Sequence, residues 1–160
     1  MRAHSTTAFK TIRNHLFEDH RRLEDLFDQL LDAFEAGEHQ PLTDLWTRFE
    51  TDLLRHIDFE ERFLVPQFQR SEPDTAAAIL VDHGEFRHRL AELGIGVDLH
   101  IVRLTAARNF IRRLREHANR EDDLMYRWSD EHFEEHERTL MIHAFRPRDA
   151  DSFPSEHVDA

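Results

Sequence analysis

"LTDLWTRFETDLLRHIDFEERFLVP" (residues 42–66) decides the fold. Leu42, Leu45, Phe49, Leu53, His56, Glu60 and Phe63 recur at steps of three and four, and Trp46, Ile57 and Leu64 widen the stripe. That spacing marks one face of a helix turned toward a core. Two members of the stripe are chemically out of place, because a carboxylate and an imidazole lose hydration on burial that a leucine never had. His56 and Glu60 stand four apart, about 40° round the helix axis and roughly 6 Å along it, so both point the same way. Pro66 is expected to end the helix.

The pattern repeats on both sides. Ile12, Leu16, His20, Leu23, Phe27, Leu30 and Phe34 predict a first helix that stops near Gly37. Ala76, Ile79, His83, Phe86, Leu90 and Leu93 predict a third, capped by Asp74 and ended by Gly94 and Gly96. Leu99, Val102, Ala106, Phe110, Leu114, His117, Glu121, Leu124 and Trp128 predict a fourth, capped by Asp98. Four stripes with short connections predict an all-α, up-down-up-down antiparallel four-helix bundle over residues 1–130. Residues 131–160 are expected to add a short C-terminal helical extension, with Leu140, Met141, Ile142 and Phe145 free to dock. A mobile tail, RPRDADSFPSEHVDA (146–160), is expected to follow, since it is polar and carries no stripe.

Composition narrows the chemistry. At 160 residues the chain suits one domain, and 34% charged residues with only four Gly and five Pro favour a helical globular protein. A formal charge of −12 argues against nucleic acid and anionic membrane as partners. The absence of cysteine excludes disulfides, zinc–thiolate sites, iron–sulfur clusters and thiol nucleophiles, so any metal must be held by His and carboxylate. No apolar run is long enough for a membrane span, and the opening MRAHSTTAFK lacks the apolar stretch of a leader, so a cytoplasmic protein is expected.

Laid together, the two halves match. His20 and His83 are each preceded by Asp, while His56, Glu60 and Glu61 align with His117, Glu121 and Asp122, and Phe49 and Leu53 with Phe110 and Leu114. Each half thus supplies one lone His and one His-x-x-x-Glu. Chance predicts about 2.7 His-x-x-x-acid pairs from this composition and five occur, so the spacing alone is weak. What distinguishes these two pairs is that both members lie in an apolar seam. Four His and two Glu converging there need a shared partner, and two metal ions supply one, with N/O ligation that suits iron or manganese and tolerates zinc. Asp58, Glu61, Asp122 and Asp123 are expected to be solvated, and His132 and His136 to lie on a solvated helix face.

The segments DHRRLEDL (19–26), HIDFEERFLVP (56–66), DHGEFRHRL (82–90) and HANREDDLMY (117–126) together resemble the hemerythrin-like (HHE cation-binding) family over roughly residues 12–129. The resemblance implies that His20, His56, Glu60, His83, His117 and Glu121 hold two iron ions, with Glu60 and Glu121 as bridging carboxylates. It further implies a non-haem di-iron protein that binds O2, nitric oxide or peroxide, or senses or stores iron. The chain departs from the oxygen-carrying hemerythrins at Arg87, where those have a second His four after the one on the third helix. His88 lies about 140° from His83 and would need a π-bulge to substitute. Glu24, four after His20, is placed to act as an extra ligand or to accept an imidazole N–H. An open coordination position makes a peroxide-disproportionating enzyme the alternative. A zinc-holding or metal-free interaction module is a further one, and a ferritin-like oxidase is disfavoured because its Glu-x-x-His order is the reverse. Oligomeric state is not legible here.

Overall fold

The computed structural model describes residues 11–145. The chain runs through α1 (Ile12–Ala36), α2 (His39–Phe59), a π-helical turn (Glu60–Leu64), α3 (Val65–Ser71), α4 (Pro73–Asp98), α5 (Leu104–Glu121), a second π-helical turn (Asp122–Tyr126), α6 (Arg127–His132) and α7 (Glu135–Phe145). The all-α expectation is met, and no strand occurs among the described residues. No helix among them is long and apolar enough to cross a membrane. The expected tail, 146–160, and the opening MRAHSTTAFK lie outside the described residues.

Caps set the ends of α1. The Thr11 side chain accepts the Asn14 N–H at 3.0 Å, and the Asp130 carboxylate, brought over by α6, accepts the N–H groups of Ile12 and Arg13 at 2.9 and 3.2 Å. An anion there also meets the positive end of the helix dipole. Gly37, at φ 69°, closes the other end in the left-handed conformation that a glycine adopts without a Cβ clash.

Several expected boundaries shift. Gly94 and Gly96 do not end the third helix, which continues to Asp98. Gly96 instead permits close approach, because a Cβ there would stand 2.7 Å from Val102 Cγ2. Asp74 sits in the first turn of α4 while Glu72 holds the cap position, and α5 begins only at Leu104, so Asp98 caps nothing. Leu99 is accordingly exposed, and Ala107 rather than Ala106 faces inward. Pro66 lies just after the π turn, in the first turn of α3, and the chain stays helical through it.

The two π turns change the register that follows. Bonding from i to i+5 adds a residue to the turn, so the buried positions after Glu60 are Leu64 and Val65 rather than Phe63, and after Glu121 are Met125 and Tyr126 rather than Leu124. Leu124 is 45% exposed. The core is split in two along the long helices. One cluster centres on Leu23, Phe27, Trp46, Phe49, Leu90 and Phe110, the other on Leu16, Phe59, Phe68, Ile79, Tyr126 and Phe145. Between them every long helix carries polar side chains inward. α7 docks through Ile142 and Phe145, the latter packing on Phe59 at 4.7 Å between ring centres, while Leu140 stays exposed.

Candidate metal centre

His20 comes from α1, His56 and Glu60 from α2 and the π turn after it, His83 from α4, and His117 and Glu121 from α5. All six meet in the polar layer. His56, Glu60, His83, His117 and Glu121 are buried, and the His20 side chain keeps 15% exposure. The layer has two halves. His20 Nε2 and His56 Nε2 face each other at 3.0 Å, and His83 Nε2 and His117 Nε2 at 3.1 Å. Each glutamate spans both halves. Glu60 sets Oε1 3.1 Å from His56 Nε2 and Oε2 3.3 Å from His83 Nε2. Glu121 sets Oε1 2.6 Å from His117 Nε2 and 3.1 Å from His83 Nε2, and Oε2 3.7 Å from His20 Nε2.

What lies behind the imidazoles orients them. His56 Nδ1 donates to Asp19 Oδ2 at 2.7 Å, His83 Nδ1 to Glu61 Oε1 at 3.1 Å, and His117 Nδ1 to Asp82 Oδ2 at 2.9 Å. A carboxylate only accepts, so the proton sits on Nδ1 and the Nε2 of a neutral ring turns its lone pair into the layer. Arginines hold the acids ionised: Arg22 and Arg55 beside Asp19, Arg87 on Glu61, and Arg120 on Asp82. Burial alone would raise the Asp19 pKa, but His56 and Arg22 outweigh it and hold the carboxyl below its ordinary value.

Two lone pairs cannot face at 3 Å without a cation between them. In the metal-free chain that cation is a proton. Burial opposes charge on His83, yet Glu121 and Glu60 overcome it and lift its pKa to about 10; burial likewise opposes charge on His56, which Glu60 and Asp19 lift. His20 goes the other way, to about 4, through burial and the neighbouring His56 charge. Glu60 and Glu121 are held below their ordinary values by the imidazoles despite burial. A metal ion can replace each shared proton. The donor set fits that role: four imidazole nitrogens, two carboxylates, and a fully buried Glu60 Oε2 that makes no well-aligned hydrogen bond and has only the 3.3 Å approach to His83 Nε2. His20, His56, Glu60 and Glu121 each bring one ligand atom within 4.8 Å of the others, and so do Glu60, His83, His117 and Glu121.

Sequence reasoning missed Tyr126. Its hydroxyl donates to Glu60 Oε1 and stands 3.2 Å from Glu121 Oε2, 3.0 Å from His20 Nε2 and 3.1 Å from His56 Nε2. Burial and the two carboxylates keep its proton on, raising its pKa well above the phenolic value. Five residues past Glu121, it falls off an α-helical face, and only the π turn brings it round. Glu61, expected to be solvated, instead backs His83. Asp19 and Asp82 were also overlooked, although each precedes a lone His in both halves of the chain. Arg87 binds Glu61 and Asp58, Glu24 binds Arg115, and the exposed His88 pairs with Glu92, so none of the three enters the layer.

No curated protein and no solved structure matches the chain significantly. The family model of the hemerythrin HHE cation-binding domain matches residues 11–129, the span that carries every residue of the polar layer. With that match and this cluster of histidines and glutamates, the chain belongs to the hemerythrin HHE cation-binding domain family.

Proposed function

We propose that this protein is a non-haem di-iron protein that binds O2 or a related small molecule, nitric oxide or peroxide. His20 and His56 hold one iron, His83 and His117 the other, and Glu60 and Glu121 bridge them. The observation that carries this reading is that each glutamate turns one oxygen toward each histidine pair. Two such ions would supply redox chemistry and open positions for an oxygen-bearing ligand. The chain's own part is to aim the imidazoles through Asp19, Glu61 and Asp82, and to hold a proton on Tyr126 beside Glu60. Reconstitution with ferrous iron under anaerobic conditions should give two ions per chain, with near-ultraviolet charge-transfer bands that change on air, peroxide and nitric oxide. A chain that takes up no iron, or whose zinc form is as stable and whose iron form gives no spectral response, contradicts the proposal and favours an interaction module.

A peroxide-disproportionating activity is the second reading. It is favoured by Arg87, which is committed to Glu61 and Asp58 and adds no ligand at the turn after His83. Oxygen release from hydrogen peroxide, two peroxides giving two waters and one O2, tests it, and turnover no faster than free iron excludes it. The same reading takes the long helices as an up-down-up-down bundle over 1–130, with 131–160 as an extension. Short connections and the direct packing of α1 on α2 and α5, and of α4 on α2 and α5, support that order.

A further inference from the structure

The polar layer opens on one side into a cavity of about 310 Å³. Its polar end is His20, His56, Glu60, His117 and Glu121. Its walls are Leu23, Leu53, Phe86 and Leu114, each three residues from a histidine of the layer and so one turn further along its helix. The mouth opens between α1 and α5, with Phe17 and Arg21 on one lip and Ala118 and Asn119 on the other.

This space is out of proportion to a diatomic. A water-sized ligand needs a cavity share of about 30 Å³, whereas sites for organic molecules begin near 300 Å³. Its chemistry is equally one-sided. Four apolar side chains from four helices offer no hydrogen bond to the body of a ligand, and all the donor groups at the inner end belong to the metal-binding cluster; the other polar lining groups, Arg21, Glu24, Arg115, Asn119 and Asp122, keep contact with solvent at the rim, where Glu24 is paired with Arg115 and Asp122 with Arg13. The molecule that satisfies both ends has one oxygen-bearing head and a hydrocarbon body.

Resting on the di-iron reading, we propose that this centre takes a small amphipathic organic ligand, its oxygen-donor head among His20, Glu60 and Glu121 and its hydrocarbon body against Leu23, Leu53, Phe86 and Leu114. The full chain loaded with zinc, which is redox-inert, permits a binding test that needs no turnover. Metal content is measured first, and then calorimetric titration with acetate, butyrate and hexanoate. Burial of each added methylene in an apolar cavity should tighten binding about threefold to fourfold. Leu114→Phe fills the wall and should flatten the series beyond acetate while two metals per chain are retained. Leu23→Phe, on another helix, serves the same purpose where Leu114→Phe loses metal. Two metals bound with affinity independent of chain length overturns this inference alone. A chain that takes up neither zinc nor, in the anaerobic reconstitution, ferrous iron overturns the proposed function with it.

Discussion

Replacing Asp19 with Asn tests whether the layer is built to present imidazole lone pairs to a metal. Asp19 is 1% exposed and accepts from His56 Nδ1 at 2.7 Å. The amide keeps the shape and removes the charge. A hydrogen bond to a charged group contributes about 1.5–3 kcal/mol and a neutral one about 1 kcal/mol, so the substitution costs roughly 1–1.5 kcal/mol at the His56 ligand. At about 1.4 kcal/mol per factor of ten, metal affinity in that half should fall about tenfold. Should the amide turn its NH2 toward Nδ1, His56 must change tautomer and lose its inward lone pair, and the loss approaches a hundredfold. Arg22 and Arg55, left beside a neutral amide, add to the effect. The assay is competition with a chelator of known affinity at pH 7, run on the wild type, Asp19→Asn, the matching Asp82→Asn, and Asp58→Asn as control. Asp58 is exposed and, among the described residues, pairs with Arg87 rather than with a histidine, so its variant should bind as the wild type does. Unchanged affinity in both Asp19→Asn and Asp82→Asn, or an equal loss in the control, would refute the reasoning.

Three more outcomes are expected. In the metal-free chain His83 is lifted from 6.5 to about 10, so the stability it contributes is complete below pH 6.5 and drains away as pH rises through 10, whereas Asp19 and Glu121, held low, contribute above their ordinary values and lose it as pH falls. Melting of the metal-free chain should therefore peak between those limits, and metal uptake at pH 7 should release protons, as titration calorimetry in buffers of different ionisation enthalpy will show; uptake without proton release would contradict the shared-proton description. Tyr126→Phe removes the donor to Glu60 and should destabilise the metal-free chain by roughly 1–3 kcal/mol, but the loaded chain much less, because metal then neutralises the carboxylate; equal losses in chemical denaturation would argue against that role. Phe49→Ala empties a fully buried site whose ring meets Phe27 and Phe110 edge-on, and should cost roughly 3–5 kcal/mol in urea unfolding without changing metal stoichiometry.

Hydrophobic periodicity is a local property of a helix, so the stripes and the six polar residues interrupting them could be read from spacing alone. The same logic explains why the resemblance was legible, since His56/Glu60 and His117/Glu121 need only one turn of helix to point together. Where reading failed, the deciding contact lay elsewhere in the chain. Glu61 resembles any solvated acid until α4 brings His83 and Arg87 against it. Asp19 and Asp82 each back a histidine on a different helix, and the repeated Asp-His pair was the trace of that arrangement.

Tyr126 was beyond reach for a different reason. A helical pattern assumes one register throughout, and the π turns after Glu60 and Glu121 break it where the histidines and glutamates of the polar layer crowd the core. Amino-acid order by itself determined an all-helical chain carrying a histidine–glutamate face, because those features follow from short-range geometry. The pairing of the imidazoles, the carboxylates behind them, the Tyr126 hydroxyl among them and the cavity beside them were decided only by packing, which joins residues far apart in the chain and shifts the register of two helices to bring them together.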